Sequence, residues 1–256
     1  MKKKQSSLVD HIPNWMWLLL SFLAAMLLWY ILSIIPKTSR AFPNQFVVLS
    51  SIATMIQRGV LHTDIGSSLI SAGAGYAFGF IIALPVAILM AWYRPVKYII
   101  EPWIQFIRNI PPLAYVPLIV IAAGVGRRPQ IIVITIATFL IMCVTIYQGV
   151  VNVDETLIKA ARVLGANDKD IFSRVIAPAT LPFILTAVRL GASVALTTLI
   201  AAEMTGTFYG LGSMIQTAQI YFRMDKVLLG IICIGAIGFV LDRLLLLAEK
   251  RITRWK

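Results

Sequence analysis

The sequence predicts an all-α polytopic membrane protein with six transmembrane helices, and three observations support this fold class. Of its 256 residues, 59% are hydrophobic, and the mean hydropathy is +0.85. A soluble core of this size cannot hide so much apolar surface. Only 13% of the residues are charged, and they cluster between long apolar runs. This pattern is typical of membrane spans separated by short loops.

The first apolar run extends from Trp15 to Ile35. At about 1.5 Å per residue it is long enough to cross a hydrocarbon layer of about 30 Å. Lys2, Lys3 and Lys4 precede it, and Pro36 follows it in place of a small-residue cleavage site. We therefore interpret this run as an uncleaved membrane anchor.

Five further spans are predicted at residues 65–92, 103–124, 130–151, 179–204 and 227–248. With the N-terminus in the cytoplasm, the inner segments hold fourteen cations: Lys2, Lys3, Lys4, Arg94, Lys97, Lys159, Arg162, Lys169, Arg174, Arg243, Lys250, Arg251, Arg254 and Lys256. The outer segments hold seven: Lys37, Arg40, Arg58, Arg127, Arg128, Arg223 and Lys226. This excess predicts that both termini are cytoplasmic. We expect residues 36–63 to lie outside, with a short helix around Phe46 to Arg58.

Composition also bears on possible partners and chemistry. The net charge of +12 follows from Lys and Arg retained on the cytoplasmic side, so we expect lipid and no nucleic acid as a partner. Cys143 and Cys233 lie in separate apolar runs and are interpreted as small hydrophobic residues. His11 and His62 stand alone. We therefore expect no catalytic residues and no metal or cofactor bound by this chain.

Small residues recur at every fourth position of the second span, which predicts a ridge that another helix can approach closely. The ridge consists of Ser67, Ser71, Gly75, Gly79, Ala83, Ala87 and Ala91. Ala187, Gly191 and Ala195 repeat the pattern in the fifth span. Pro111, Pro112 and Pro117 are expected to break the third span.

The longest inner segment, Asp154 to Pro182, has apolar residues at helical spacing and predicts two short helices. Leu157, Ala160, Ala161 and Leu164 form one apolar face of the first helix. Gly165 is expected to end that helix with a positive φ. Asp168 begins the second helix, and Pro178 is expected to restart the chain into the membrane.

This segment resembles the EAA loop of ABC importer permeases, in which Glu-Ala-Ala, three residues, Gly, nine residues and Ile-x-Leu-Pro recur. Lys159, Ala160 and Ala161 occupy the first three places, and Gly165 follows at the expected distance. Val175, Ile176, Ala177 and Pro178 complete the spacing. The departures are Lys159 for Glu, Val175 for Ile and Ala177 for Leu. Lys159 reverses a charge where the family contacts its ATPase.

Two further segments resemble the nitrate, sulfonate, taurine and bicarbonate branch of these permeases: RNIPPLAYVPL at residues 108–118 and AEMTGTFYGLGSMIQTA at residues 202–218. The resemblance implies a type I transmembrane domain over residues 61–248, with an ATPase-coupling loop at 154–178. It leaves an N-terminal tail, first span and outer loop at 1–60 and a basic cytoplasmic tail at 249–256.

The resemblance also implies the partners and the location. We expect a bacterial inner-membrane homodimer of this permease with two ATPase subunits and an extracytoplasmic binding protein. ATP and Mg²⁺ are expected on the ATPase, because this sequence has no phosphate-cradling Gly-x-x-x-x-Gly-Lys-Ser/Thr loop. Selectivity is expected largely in the binding protein. A sulfonate, nitrate, bicarbonate, aromatic acid or vitamin precursor all stay open as cargo.

Polar residues in or near spans are candidates for the translocation pathway, because an ionised group there is costly unless it faces protein or water. The polar candidates are Arg108, Asn109 and Glu203. Pro111 and Pro112 are also candidates, because prolines free backbone carbonyls that can line a cavity. Arg108 begins the proline-broken segment and can attract an anion, whereas Glu203 lies near an outer helix end and can gate or pair. A structural ion pair or interfacial snorkelling is the alternative for each charged residue.

The rival function is an ion- or proton-coupled secondary transporter, which also needs kinked spans and buried charges. Such a transporter does not need the loop at 154–178. It should also have related halves and a coupling-ion site, and the sequence shows neither clearly.

Overall fold

The computed structural model describes residues 13–253, and these form eleven helices joined by short turns. The helices are α1 Asn14–Ile34, α2 Gln45–Gln57, α3 Val60–Trp92, α4 Arg94–Arg108, α5 Pro112–Ala123, α6 Arg127–Val151, α7 Glu155–Val163, α8 Asp168–Ile171, α9 Ala177–Gly206, α10 Leu211–Ile220 and α11 Met224–Ile252. A π-helical turn, Phe172–Ile176, joins α8 to α9. Lys2, Lys3, Lys4, His11, Arg254 and Lys256 lie outside the described residues.

Five of the described helical segments are long and apolar enough to cross a membrane. They are residues 15–34 of α1, α3, α6, the continuous segment Asp168–Gly206, and α11. A sixth span is possible if α4 and α5 count as one, although these two helices are bent by 103°. The multi-pass helical architecture predicted from composition is therefore confirmed.

The third predicted span, 103–124, is broken near Pro111 and Pro112, as predicted, but its start at residue 103 is wrong. The structure begins α4 at Arg94, nine residues earlier, and turns the chain between Arg108 and Pro112. Pro111 and Pro112 have no N–H to continue the hydrogen bonds of α4, and Pro112 begins α5. The predicted break at Pro117 is wrong, because α5 continues through it.

The small-residue ridge of α3 packs against α6, as predicted. Ser71, Gly75, Gly79, Ala83 and Ala87 are all buried. A Cβ added to Gly75 would lie 2.6 Å from the Cβ of Ile134, so only glycine allows this approach. Lipid tails are as apolar as Leu, so this close packing, rather than the hydrophobic effect, holds the helices together.

α6 also packs along α9, which makes α6 the centre of the bundle. Met142 and Ile146 of α6 are fully buried, and so is Cys143, whose Sγ lies 3.8 Å from Met90 Sδ of α3. Gly191 of α9 lies so close to the Met142 side chain that a Cβ at position 191 would clash with it. Ala187 and Ala195 flank Gly191 and are buried as predicted.

The bundle has two distinct ends. At one end, the α10 end, α3 and α11 begin and α9 finishes. At the other end, α3 and α6 finish and α7 and α8 connect α6 to α9; we call this connection the elbow and this end the elbow end. The short helix predicted near Phe46 is α2, whose N-terminus is capped by Asn44 Oδ1 accepting from the Phe46 amide at 3.0 Å. Because α2 precedes α3 directly, it lies at the α10 end.

The first helix lies at the periphery. Trp29 Nε1 donates a hydrogen bond to the Pro43 carbonyl at 3.1 Å, which ties α1 to the loop before α2. None of the apolar window of α1 is buried in this chain. Its side chains are therefore available to lipid or to another subunit.

Candidate functional site

The predicted coupling loop forms an elbow whose first arm is α7. Asp154 Oδ1 accepts a hydrogen bond from the Thr156 amide at 2.8 Å and caps the helix. The same hydrogen bond lowers the pKa of Asp154 below its ordinary value. Lys159 Nζ pairs with Glu155 Oε2 at 2.9 Å, one turn away on the same helix. The cation that departs from the family pattern thus has an intrahelical partner.

Gly165 ends α7 as predicted, with a φ of +82°. The Gly165 amide donates to the Arg162 carbonyl at 3.0 Å, and the Ala166 amide donates to the Ala161 carbonyl at 3.0 Å. A Cβ at Gly165 would have no heavy atom within 4 Å. The need for glycine here is therefore conformational and not steric.

The apolar residues of α7 and the adjoining turn divide between an inward and an outward surface. Ala161 and Ile158 pack on the cluster of Val153, Ile171 and Ile176 beneath the elbow. On the outward side, Leu157 and Ala160 are exposed, Val163 is 88% exposed and Leu164 is 86% exposed. The sequence had placed Ala160 and Ala161 on one apolar face, and the structure separates them.

The second arm begins at Asp168 and runs without a break into the membrane span. Asn167 Oδ1 accepts from the Asp170 amide at 2.9 Å and caps it. The predicted restart at Pro178 is wrong, because Asp168–Gly206 is one continuous helical segment of 39 residues. The Ala177 amide bonds to the Phe172 carbonyl, five residues back, so the π-helical turn shifts the hydrogen-bond register just before Pro178. Val175 is half-buried there, and Pro178 is exposed.

A cavity of about 540 Å³ opens between α4, α5, α6 and α9, and we call it the Arg108 cavity. Its lining consists of Arg108, Ile110, Pro112, Tyr115, Ala137, Leu140, Ile141, Val194, Thr197 and Thr198. Arg108 is the one charged residue in this lining. Within residues 13–253 its guanidinium forms no ion pair. An exposed cation without a counterion in an otherwise apolar cavity is suited to hold an anion.

Asn109 and Pro111 form the bend beside this cavity without lining it. Asn109 Nδ2 donates to the Gln105 carbonyl at 2.7 Å and closes the last turn of α4. Pro111 immediately precedes α5. Of the predicted pathway residues, Arg108 and Pro112 therefore meet at the cavity, and Asn109 and Pro111 set the angle between the two helices.

Glu203 is not part of this cavity. It is 1% exposed at the α10 end of the bundle. Its Oε1 accepts from Ser68 Oγ at 2.7 Å, and its Oε2 accepts from the Gly212 amide at 2.8 Å. The Cβ that Gly212 lacks would lie 2.7 Å from the Cβ of Glu203. Of the two predicted roles of Glu203, gating or pairing, the structure shows pairing, and the partners are neutral hydrogen-bond donors.

Two other side chains complete this contact, and sequence reasoning missed both. Asp64 Oδ1 accepts from the Gly210 amide at 3.0 Å, and Ser68 Oγ accepts from the Leu211 amide at 2.9 Å. These amides are at the N-terminus of α10, where unpaired N–H groups and the helix dipole favour acidic partners. We call Asp64, Ser68 and Glu203 the α10 cap. The four-residue spacing of Asp64 and Ser68 was the available signal.

Arg189 and Asp242 join α9 to α11. Arg189 Nε donates to Asp242 Oδ1 at 2.7 Å, and Arg189 Nη2 reaches Oδ2 at 3.4 Å. A structural ion pair thus accounts for both residues. No group of three or more His, Cys, Asp or Glu residues in the described part of the chain is arranged to hold a metal ion.

Comparison with known proteins identifies similar sequences and folds. Residues 75–254 match the family described as binding-protein-dependent transport system inner membrane component. A probable ABC transporter permease protein of Brucella abortus (strain 2308) is 44% identical over 238 residues, 93% of this chain and 94% of that protein. The taurine transport system permease protein of Escherichia coli (strain K12) is 39% identical over 175 residues, 68% of this chain and 64% of that protein.

The fold also has solved counterparts. The crystal structure of an amino acid ABC transporter with histidines superposes with a TM-score of 0.64 at 22% identity. The match covers 78% of this chain and 97% of that chain. This likeness shows that the two chains share a helical fold.

Proposed function

The chain belongs to the family of binding-protein-dependent transport system inner membrane components, the permease subunits of ABC importers, and we propose that its cargo is a small oxyanion. The observation that carries the proposal is the unpaired Arg108 in a cavity otherwise free of charge. Taurine, which the name of the Escherichia coli relative specifies for that protein, carries a sulfonate. A guanidinium binds such a group through paired hydrogen bonds.

We propose that the elbow end faces the cytoplasm and that both termini lie there. The cation excess of the segments assigned to that side supports this orientation. With α4 and α5 as one bent span, the chain then crosses the bacterial inner membrane six times. The α10 end faces outward, towards the extracytoplasmic binding protein that the family name implies.

The elbow is proposed to dock on an ATPase subunit, which supplies ATP, Mg²⁺ and their hydrolysis. The contact consists of Ala160, Val163 and Leu164, because these apolar residues are exposed at the tip while Ala161 packs inward. Burying such a patch in a groove on a partner gains hydrophobic free energy. Since the second arm continues directly into α9, movement of the elbow is passed to a helix that lines the Arg108 cavity.

We further propose that two copies of this chain form the pathway. The Arg108 cavity is open on one side, and the exposed apolar residues Leu113, Leu118 and Ile121 lie on α5 next to it. A second copy related by a two-fold axis would cover this surface and place two Arg108 side chains on one pathway. Lipid surrounds the remaining apolar faces, including that of α1.

The test is uptake by the purified permease, ATPase and binding protein in liposomes, with and without ATP, across a panel of sulfonates, nitrate and bicarbonate. Arg108→Gln removes the cation and keeps a side chain that can hydrogen-bond. We expect it to reduce uptake about tenfold or more, which corresponds to about 1.4 kcal/mol. Arg94→Gln, at the elbow end and outside the cavity, is the matched control and should transport normally.

Two results would contradict this function. Uptake by the permease alone in response to an ion gradient would favour the secondary transporter. Normal anion uptake by Arg108→Gln would leave the importer assignment intact and remove the proposed role of the cavity.

A further inference from the structure

A second cavity, of about 310 Å³, lies at the α10 end between α2 and the start of α11, and we call it the α2–α11 cleft. Its lining consists of Val47, Ser50, Ser51, Thr54, Met55, Arg58, Val60, Arg223, Asp225 and Lys226. It shares no lining residue with the Arg108 cavity. The translocation pathway proposed above therefore does not account for it.

Three cations and one carboxylate face this cleft. Asp225 is 6% exposed, accepts a hydrogen bond from Ser51 Oγ at 2.5 Å, and pairs with Arg223 Nη2 at 2.9 Å. Arg223 Nε also donates to Asp225 Oδ1 at 3.1 Å. The Arg223 side chain is thus held in place and its charge is balanced by Asp225.

The other two cations are not balanced. Among residues 13–253, neither Arg58 nor Lys226 forms an ion pair. The remaining described carboxylates at this end, Asp64 and Glu203, are buried and accept hydrogen bonds from the start of α10. Asp64 also lines an adjoining cavity with Arg223 and Lys226, but it forms no ion pair with either cation. The lining of the cleft therefore has two positive charges in excess, and the described residues of this end supply no exposed carboxylate to neutralise them.

We propose that the α2–α11 cleft binds one phosphate- or sulfonate-type oxyanion between Arg58 and Lys226. Arg223, fixed by Asp225, forms the third side of the site. A volume of about 310 Å³ has room for about ten waters at about 30 Å³ each, and therefore for one such group with part of its hydration. Arginine and lysine donate the charge-assisted hydrogen bonds that these anions accept.

The anion has two possible sources with the same chemistry: the phosphate of a lipid headgroup, or a free oxyanion at the membrane surface. The neighbouring side chains suit the lipid, because Phe46 is 79% exposed and Val47 is 48% exposed on the same helix. Acyl chains can pack along α2 while the headgroup enters the cleft. The site itself does not depend on which anion the importer carries.

The experiment uses the purified full-length permease and two probes. Binding of phosphatidylglycerol is measured by native mass spectrometry after lipid titration, and binding of inorganic phosphate is measured by calorimetry in a neutral detergent. The test variant is Arg58→Gln with Lys226→Gln. The matched control is Arg127→Gln with Arg128→Gln, which removes two cations at the same end outside the cleft. Circular dichroism and gel filtration check that both variants fold.

We expect the test variant to bind at least one probe about tenfold more weakly than the wild-type protein, and the control to bind it normally. Loss of lipid binding alone identifies a lipid headgroup site, and loss of phosphate binding alone identifies a free-anion site. Wild-type binding of both probes by the test variant would overturn the proposal. Equal loss in the control variant would also overturn it, because surface charge in general would then be responsible.

Discussion

Replacement of Gly165 tests whether the shape of the elbow couples ATP hydrolysis to transport. The residue has a φ of +82°, a region that costs an L-residue with a Cβ about 1–2 kcal/mol. Asn tolerates this region better than Ala, and the β-branched Val tolerates it least. A Cβ meets no atom within 4 Å, so the whole penalty falls on the backbone turn between α7 and α8.

We therefore expect Gly165→Asn, Gly165→Ala and Gly165→Val to reduce ATP-driven uptake progressively, with Val losing about tenfold or more, since about 1.4 kcal/mol is a factor of ten. The assay measures uptake and ATP hydrolysis together in liposomes that contain ATPase and binding protein. In the Gly165→Val variant, ATP hydrolysis should continue while uptake falls. Gly66→Val is the matched control, because Gly66 also has free space around it but no positive φ. Uptake by Gly165→Val at the wild-type level would refute this reasoning.

Three further changes probe other contacts. Glu203→Ala should lower thermal stability more than Glu203→Gln, because Ala leaves both donors unpaired, at about 1–3 kcal/mol each, whereas Gln leaves one; equal melting temperatures would contradict the α10 cap. Gly75→Val should prevent α3 from packing on Ile134 and yield aggregated protein in gel filtration. Gly73 has open space around it, so Gly73→Val should elute as a single peak like the wild-type protein. Folding lowers the pKa of Asp154, so its cap stabilises α7 at a pH above the ordinary pKa of 3.8, and this stabilisation is lost as the pH falls through the lower pKa of the folded state. Asp154→Asn should remove this pH dependence, which is measured as hydrogen exchange of the amides at the start of α7 after correction for intrinsic rates.

Local patterns allowed much of the helical framework to be predicted. The four-residue spacing of small residues identified the α3 ridge, because one residue type repeats on one face of one helix. Pro111 and Pro112 located the bend, but its angle of 103° depends on packing against α6 and α9. Pro117 was misjudged because it lies in the second turn of α5, where a helix tolerates the loss of a single hydrogen bond.

Contacts between distant residues could not be predicted in this way. Glu203 and Ser68 are 135 residues apart, so no local pattern connects them. The π-helical turn before Pro178 is similarly invisible, since it is a choice of hydrogen-bond register rather than of residue type. Ala160 and Ala161 are neighbours in the sequence, but helix geometry turns one outward and the other onto Ile171. The elbow could thus be located from its spacing, whereas the division of its side chains into exposed and packed ones required the fold.

The uninterrupted helix Asp168–Gly206 has a mechanical consequence. Its 39 residues have a length of about 58 Å at about 1.5 Å per residue, with the proposed ATPase contact at one end and Glu203 near the other. A continuous helix can transmit a displacement in either direction. The free energies of binding at its two ends are then coupled, and this coupling is reciprocal. We therefore expect that a protein bound at the α10 end changes the affinity of the ATPase for the elbow. Binding of the ATPase should change the affinity of that protein for the α10 end by the same factor.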